Sequence, residues 1–328
     1  MINKEKGNIK MRIGDENIWI PQRADPYVYR HTDGTYYFTA SLPEYHGIAL
    51  RRAGTLWGLK DAAEVMIWKK HDSGPMSKHI WAPELHYIMG RWYLYFAAGE
   101  AEDVWKIRPY VLECAGMDPI NDAWKENGPM QSADTDEFSF RAFSLDATVF
   151  EQKGKWYCIW AEKVGVGRQI SNLYIAEMET PWKMKTDQVL LTTPDYDWER
   201  KGFWVNEGPA VIHHQGRLYL TYSASDTGPN YCMGMLSIDE NADLLDPSAW
   251  SKKRYPVLQT REQYSLYGPG HNSFTVDENG DPILVCHCRT CAEIEGDPLY
   301  NPNRHAMLFR IKWTEDGEPL FDFNNYYK

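Results

Sequence analysis

Residues 205–225, VNEGPAVIHHQGRLYLTYSAS, contain a pattern that this chain shows five times in a looser form. An acidic or polar residue precedes a short apolar strand, a glycine turn follows, and a tyrosine-rich strand completes the unit. The other four copies begin at Asp25, Glu84, Asp146 and Asn272. The turn glycines stand at positions 34, 90, 154, 216 and 280, so the intervals are 56, 64, 62 and 64 residues. A long and nearly constant period is typical of a repeat architecture.

Each copy is predicted to be a β-hairpin, because apolar residues flank a turn whose glycine can adopt positive φ. A third strand follows each hairpin, at residues 47–51, 110–114, 173–177, 232–238 and 307–311. Fourth strands are predicted at residues 65–69, 188–192 and 256–259. Repeats of this size suit the blades of a propeller. We therefore expect an all-β fold, a five-bladed β-propeller that forms one catalytic domain over residues 1–328. A β-sandwich, or two small all-β domains, is the alternative, but it leaves five evenly spaced hairpins unexplained.

The composition limits the classes of function. The net charge of −11 argues against nucleic acid as a partner, because phosphate binding rests on lysine and arginine. Hydrophobic residues make up 43% of the chain and aromatic residues 14%. This content supplies a large core. It also leaves aromatic side chains that can line a carbohydrate-binding surface.

The N-terminus and the cysteines bear on where the protein works. The first residues, MINKEKGNIKMRIGDE, have no apolar h-region, and no stretch of the sequence is long enough to span a membrane. Cys286, Cys288 and Cys291 lie close together, but a zinc site would need further ligands at suitable spacing. We expect reduced cysteines in a cytoplasmic enzyme, or a secreted enzyme if a signal peptide has been removed.

The first strand of each blade borders the central channel of a propeller, so equivalent positions of the repeats should converge there. Those positions hold Asp25, Glu84, Asp146, Glu207 and the pair His271-Asn272. Carboxylates at close range raise one another's pKa, and a purely structural ring would need no such charges, although each acid could instead cap its own hairpin. Facing carboxylates without a phosphate loop, an HExxH motif or a GxSxG motif favour glycoside hydrolysis.

An ordered set of motifs over about residues 20–315 resembles glycoside hydrolase family 43. The motifs are Ala-Asp25-Pro, Trp81-Ala-Pro-Glu84, Leu-Asp146-Ala, Asn206-Glu207-Gly-Pro, Gly270-His271-Asn and His287-Cys-Arg289. The resemblance implies a five-bladed propeller and an inverting mechanism. It also implies that Asp25 is the general base, Glu207 the general acid and Asp146 a third carboxylate that orients the acid and raises its pKa.

The same resemblance implies contacts around the acids. His271 matches a channel histidine that is linked to a calcium ion in many members of the family, and Arg289 matches an arginine near the sugar. We also expect Trp81, Phe140, Trp204 and His287 to bind substrate. Glu84 matches a motif position without an assigned proton-transfer role. The connection over residues 99–143 is long enough to form a wall or lid.

The family includes α-L-arabinofuranosidases, β-xylosidases and endo-arabinanases. We expect an exo-acting α-L-arabinofuranosidase that releases terminal arabinose from arabino-oligosaccharides and needs no organic cofactor. A β-xylosidase or an endo-arabinanase is the alternative within the family. A carbohydrate-binding propeller without catalysis is the alternative outside it, but such a lectin would not need Asp25, Asp146 and Glu207 together.

Overall fold

The computed structural model describes residues 15–166 and 168–327, so nearly all of the N-terminal stretch without an h-region lies outside the described residues. Within them, strands predominate, and the only helices are short 3₁₀ turns at Asp15–Asn17, Trp57–Lys60, Asp197–Glu199, Pro247–Ala249 and Glu262–Tyr264. In this part of the chain no helix is long and apolar enough to cross a membrane.

The strands, in chain order, are β1 (Ala24–Arg30), β2 (Tyr36–Ser41), β3 (Gly47–Ala53), β4 (Val65–Lys69), β5 (Lys78–Ile88), β6 (Arg91–Gly99), β7 (Arg108–Cys114), β8 (Trp124–Pro129), β9 (Ser144–Gln152), β10 (Lys155–Val166), β11 (Arg168–Thr180), β12 (Lys183–Met184), β13 (Val189–Thr192), β14 (Trp204–His214), β15 (Arg217–Ala224), β16 (Cys232–Asp239), β17 (Ser251–Lys252), β18 (Tyr267–Val276), β19 (Pro282–Arg289), β20 (His305–Arg310), β21 (Lys312–Trp313) and β22 (Pro319–Leu320).

All five predicted hairpins are present as antiparallel pairs: β1–β2, β5–β6, β9–β10, β14–β15 and β18–β19. The five turn glycines have φ between 78° and 87°, and a Cβ on any of them would meet nothing within 4 Å. Backbone conformation, rather than lack of space, therefore requires glycine there. Three of the turns are two-residue loops in which Met89, Lys153 or Gln215 precedes the glycine and also has positive φ.

The outer strands follow the prediction less closely. The third strands are confirmed as β3, β7, β11, β16 and β20, and the fourth strands as β4 and β13. The predicted fourth strand at residues 256–259 is wrong, because β17 pairs with β16 instead and only Leu258 forms a bridge, to Met233. Strand β8 was not predicted, and it turns part of the 99–143 connection into sheet. Its burial alternates poorly, so backbone pairing with β7 holds it rather than an apolar face.

The repeats do not form five separate sheets. The first and second repeats are four-stranded sheets, β1-β2-β3-β4 and β5-β6-β7-β8, and the fifth is the three-stranded sheet β18-β19-β20. The third and fourth repeats share one nine-stranded sheet, because β11 pairs in parallel with β14 through Ile170↔Trp204 and Ser171↔Val205.

Hydrophobic clusters lie between neighbouring sheets. Ile48 of the first repeat packs with Trp92 of the second, and Phe38 of the first packs with Val285 of the fifth. The first strands also contact one another in a cycle, β1 with β5, β5 with β9, β9 with β14, β14 with β18, and β18 with β1. The fold is all-β, and the equivalent strands of the five repeats face a common centre.

Candidate active site

Every first strand is interrupted by a β-bulge at the end where the repeats converge. The residue in the bulge has positive φ in each repeat: 54° at Asp25, 46° at Ala82, 55° at Asp146, 55° at Gly208 and 40° at His271. Bulges redirect a side chain out of the regular alternation of a strand, and positive φ at a residue other than glycine stores backbone strain. The strain recurs at the same place in the repeats, which marks this end of the channel as a functional site.

The bulges correct the equivalences that were predicted for Glu84 and Glu207. The second repeat places Ala82 in the bulge, two residues before Glu84, and the fourth repeat places Gly208 there, one residue after Glu207. Glu207 still reaches the cavity from the position before the bulge. Glu84, two residues after Ala82, does not line the cavity. Its Oε2 lies 2.8 Å from Nε2 of His86, and this contact is buried.

A cavity of about 1230 Å³ opens at the bulges and contains the three carboxylates predicted to carry the chemistry. Asp25, Asp146, Glu207 and His271 all line it, although they come from four different repeats. Trp81 and Trp204, two of the predicted sugar contacts, line it as well. The remaining wall consists mainly of residues 226–231 and of the connection between β19 and β20.

Asp25 is surrounded by donors and positive charge. Its Oδ2 accepts a hydrogen bond from Ser41 Oγ at 2.5 Å, and its Oδ1 lies 3.4 Å from Nδ1 of His271 and 3.9 Å from Nη1 of Arg304. Nδ1 of His287 accepts the backbone N–H of Asp25 at 3.1 Å. Burial opposes ionisation of Asp25, but His271, His287 and Arg304 outweigh it and hold the pKa of Asp25 well below its usual value. Asp25 is therefore an anion at neutral pH, as a general base must be.

Glu207 and Asp146 are in the opposite electrostatic situation. Burial raises the pKa of both carboxyls, and the negative charge of Asp25 raises both further. Asp146 Oδ2 accepts the Gly208 N–H at 2.9 Å, and Glu207 Oε1 accepts the hydroxyl of Tyr231 at 2.7 Å. These two bonds and the charge of His271 only partly oppose the rise in pKa. Glu207 can therefore hold a proton near neutral pH, as a general acid must.

His271 lies between the carboxylates, with Nδ1 3.4 Å from Asp25 Oδ1 and 3.7 Å from Asp146 Oδ2. Burial would lower its pKa, but Asp146, Asp25 and Glu207 raise it above the usual value. The imidazolium form thus offsets part of the negative charge in the cavity. A Cβ on Gly208 would come within 3.2 Å of the His271 ring, so glycine allows this close approach.

Calcium at His271 stays a prediction. Within residues 15–166 and 168–327 no group of three or more histidine, cysteine, aspartate or glutamate side chains is arranged to hold a metal ion. No step of the chemistry below passes through a metal.

Three of the predicted substrate contacts lie elsewhere. Phe140 is buried against Trp160, with ring centroids 4.7 Å apart, in the core between the second and third repeats. His287 lies behind Asp25 and is 2% exposed; burial lowers its pKa to about 4, so it is the neutral acceptor of the Asp25 N–H. Neither side chain lines the cavity, so Phe140 contributes to packing and His287 positions the carboxylate.

Arg289 is the third correction. Its guanidinium is buried and donates to the carbonyl oxygens of Thr227 and Pro298, at 3.0 and 2.8 Å, and to the side chain of Asn301 at 3.1 Å. These bonds join the two loops that form one wall of the cavity. With its donors occupied by the protein itself, Arg289 supports that wall and does not line the cavity.

The sequence reasoning missed Arg304, Tyr231 and Lys163, all of which line the cavity. Arg304 stands beside Asp25 and donates to the hydroxyl of Tyr45 at 2.6 Å. Arg289 and Arg304 flank the same connection, and no local pattern distinguishes the arginine that faces the cavity from the one that does not. Tyr231 stands next to Cys232, where the third strand begins, a position that carries no sequence signal for contact with Glu207.

An aromatic cavity that pairs an ionised with a protonatable carboxyl, on a repeated all-β fold, is the site of a glycoside hydrolase. The sequence profile of glycosyl hydrolases family 43 matches residues 16–319, and the chain therefore belongs to this family. The resemblance seen in the motifs is confirmed.

Named relatives are close in sequence. The chain is 49% identical over 301 residues to an extracellular exo-α-(1→5)-L-arabinofuranosidase of Streptomyces avermitilis, covering 92% of this chain and 61% of that protein. It is 50% identical over 284 residues to an enzyme of the same name from Streptomyces chartreusis, covering 86% and 85%. The chain thus spans about three fifths of the length of the first relative and most of the second.

A solved structure is equally similar. The crystal structure of α-L-arabinofuranosidase from Lactobacillus brevis superposes with a TM-score of 0.88 at 51% identity, covering 97% of this chain and all of that one. The all-β fold of this chain is therefore that of a family 43 enzyme.

Proposed function

We propose that this protein is an inverting, exo-acting α-L-arabinofuranosidase that releases terminal arabinose from arabino-oligosaccharides. One observation carries the proposal: within a single cavity, the pKa of Asp25 is lowered while that of the half-buried Glu207 is raised. Inverting hydrolysis needs a base and an acid in these two states, on opposite faces of the sugar.

In the proposed reaction Glu207 donates its proton to the glycosidic oxygen as the bond to the anomeric carbon breaks. Asp25 takes a proton from a water molecule, whose oxygen attacks the anomeric carbon from the opposite face. Ser41 and His271 keep the carboxylate of Asp25 oriented toward that water. Asp146, fixed by the Gly208 N–H, lies in the same cavity, where burial and the charges of Glu207 and Asp25 raise the pKa of Asp146 to about 8.

The choice of arabinose is supported by the names of the relatives at about 50% identity, which are arabinofuranosidases. The printed word "exo" in two of those names supports release from a chain end. A β-xylosidase and an endo-arabinanase remain the alternatives of the same fold. Solved structures named as a xylan β-1,4-xylosidase and an endo-arabinase are 19% and 15% identical to this chain, so their similarity supports only the fold. The proposed partner is an arabinose-containing oligosaccharide.

Two further predictions become proposals here, and a third does not. The cyclic contacts of β1, β5, β9, β14 and β18 support a five-bladed propeller, formed by residues 1–328 as a single domain. A calcium ion near His271 is tested by elemental analysis of the purified protein and by chelation. A cytoplasmic location gains no support from relatives that are named extracellular.

A substrate panel tests the proposal. The protein is incubated with 4-nitrophenyl α-L-arabinofuranoside, with 4-nitrophenyl β-D-xylopyranoside, and with α-1,5-linked arabino-oligosaccharides and linear arabinan. We expect every cleavage to release arabinose together with nitrophenol or a chain shortened by one residue, and the arabinose to be first seen by NMR as the β-anomer because the configuration inverts. Faster cleavage of the xyloside, or early release of long oligosaccharides from arabinan, would replace the proposal with one of its alternatives. No hydrolysis of any substrate would favour a carbohydrate-binding protein.

A further inference from the structure

Among the described residues that line the cavity, Arg304 and Lys163 differ in the partners that the protein gives their positive charges. Arg304 has Asp25, the hydroxyl of Tyr45 and the carbonyl oxygen of Leu299 as partners. Lys163, on β10, places its ammonium 3.9 Å from the centre of the Phe143 ring. Among the described residues it has no ion pair or hydrogen-bond acceptor for that ammonium.

The sheet places Lys163 on the same side of the cavity as Glu207. Lys163 pairs with Ser171 of β11, and Ser171 pairs in parallel with Val205, two residues before Glu207. The hydroxyl of Ser171 donates to the carbonyl oxygen of Asn206 at 3.3 Å, which fixes the two strands together. Burial lowers the pKa of Lys163, and an ionised Glu207 in the same cavity opposes that shift.

Position and chemistry together restrict what Lys163 can contact. A half-buried ammonium whose protein neighbour is an aromatic ring keeps its hydrogen-bond donors free for a ligand in the cavity. In hydrolysis with inversion the leaving group departs on the side of the acid, opposite the attacking water. A leaving sugar would therefore lie beside Glu207, on the side of the cavity that holds Lys163. Its hydroxyl groups would be hydrogen-bond acceptors for the Lys163 ammonium.

We propose that Lys163 is a specificity-determining residue that donates hydrogen bonds to hydroxyl groups of the sugar next to the released arabinose. This inference rests on the proposed function, in which Glu207 protonates the leaving group. It narrows the substrate class to arabinosides whose leaving group is itself a hydroxyl-bearing sugar, in preference to simple alkyl or aryl arabinosides.

The test compares three arabinosides. α-1,5-Arabinobiose has a leaving group that needs protonation and carries sugar hydroxyls. Methyl α-L-arabinofuranoside has a leaving group that needs protonation but carries no sugar, and 4-nitrophenyl α-L-arabinofuranoside needs little protonation. kcat/KM is measured for the wild type, Lys163→Met and Lys163→Arg. Methionine keeps the packing against Phe143, and arginine keeps the charge and the donors.

A matched control lies at the other end of the same strand. Lys155 is mostly exposed and pairs with Glu177 at 3.0 Å on the surface, so Lys155→Met removes a lysine from β10 without reaching the cavity. We expect this variant to match the wild type on all three substrates. Melting temperatures of all variants show whether the fold is retained.

We expect Lys163→Met to lower kcat/KM on arabinobiose by on the order of 10- to 100-fold more than on the methyl glycoside, as loss of a charged hydrogen bond would. Lys163→Arg should recover most of that loss. Equal losses on arabinobiose and the methyl glycoside, with a smaller loss on the aryl glycoside, would mean that Lys163 acts through Glu207. Equal losses on all three would mean a structural role. Either result overturns the inference and leaves the proposed function standing. A wild type that cleaves none of the three overturns both.

Discussion

Tyr231→Phe isolates the hydrogen bond that most directly touches the proposed acid. The Tyr231 hydroxyl donates to Glu207 Oε1 at 2.7 Å, and this bond stabilises the ionised carboxylate. The ring itself stacks on His287 at 5.6 Å between centroids, and phenylalanine retains that contact. The substitution therefore removes one donor and leaves the packing in place.

The expected shift follows from the strength of such a bond. A hydrogen bond to a charged group contributes roughly 1.5–3 kcal/mol, and one pKa unit corresponds to about 1.4 kcal/mol. Loss of the donor disfavours the anion, so the pKa of Glu207 should rise by about one unit and by no more than about two. Glu207 then keeps its proton to a higher pH, and the alkaline limb of the pH profile of kcat/KM moves upward.

The assay is the pH dependence of kcat/KM on arabinobiose, whose leaving group needs the proton. Tyr222→Phe is the matched control, because the Tyr222 hydroxyl donates at 2.8 Å to Glu199, a buried carboxylate outside the cavity. This control should lose some thermal stability and leave the alkaline limb in place. If the alkaline limb of the kcat/KM profile is unchanged in a folded Tyr231→Phe variant, or moves to lower pH, the assignment of that limb to Glu207 is refuted.

Three further predictions test the roles and the corrections. Asp25→Ala should lower kcat/KM by on the order of 10²–10⁴-fold or more on every arabinoside. Glu207→Ala should lower kcat/KM far less on a dinitrophenyl arabinoside than on oligosaccharides. Similar losses of kcat/KM on both substrates would exclude Glu207 as the proton donor. Phe140→Ala should lower the free energy of unfolding in urea by roughly 3–5 kcal/mol with little change in KM. A raised KM at unchanged stability would mean that Phe140 binds substrate. Gly270→Ala should cost about 1–3 kcal/mol in the same assay and lower activity, because its Cβ would lie 2.4 Å from the Tyr231 ring; an unaffected variant would contradict that packing.

Local sequence was sufficient for the hairpins. Turn residues such as Gly90 and Gly216 adopt the positive φ that their surroundings predicted, and the strands beside them begin and end close to the predicted residues. Two turns differ in detail, since Asp33-Gly34 and Asn279-Gly280 lie in longer connections between Arg30 and Tyr36 and between Val276 and Pro282. The alternation of apolar residues and the turn glycines are local signals that extend over a few residues. They predict a hairpin without any knowledge of which strands pair in the fold.

The sequence also predicted which acids meet, because equivalent positions of a repeat converge. Asp25, Asp146 and Glu207 do line one cavity. The structure decided that Glu84 does not join them: it lies two residues after the bulge at Ala82, and its carboxylate contacts His86. The spacing between Glu84 and its turn glycine, Gly90, is shorter than the spacing in the other repeats, and it is the one sequence signal that sets this acid apart.

By itself the sequence determined the repeated hairpins, the all-β class, the family and the three acids, all of which depend on local patterns or ordered motifs. Only the tertiary structure decided which arginine faces the cavity, that Phe140 belongs to the core, and that Tyr231 and Lys163 stand beside Glu207. Those contacts join residues from different repeats. Their geometry depends on how sheets and loops pack across the chain, and so does the pKa of each acid, which is set by the charges and burial that this packing creates.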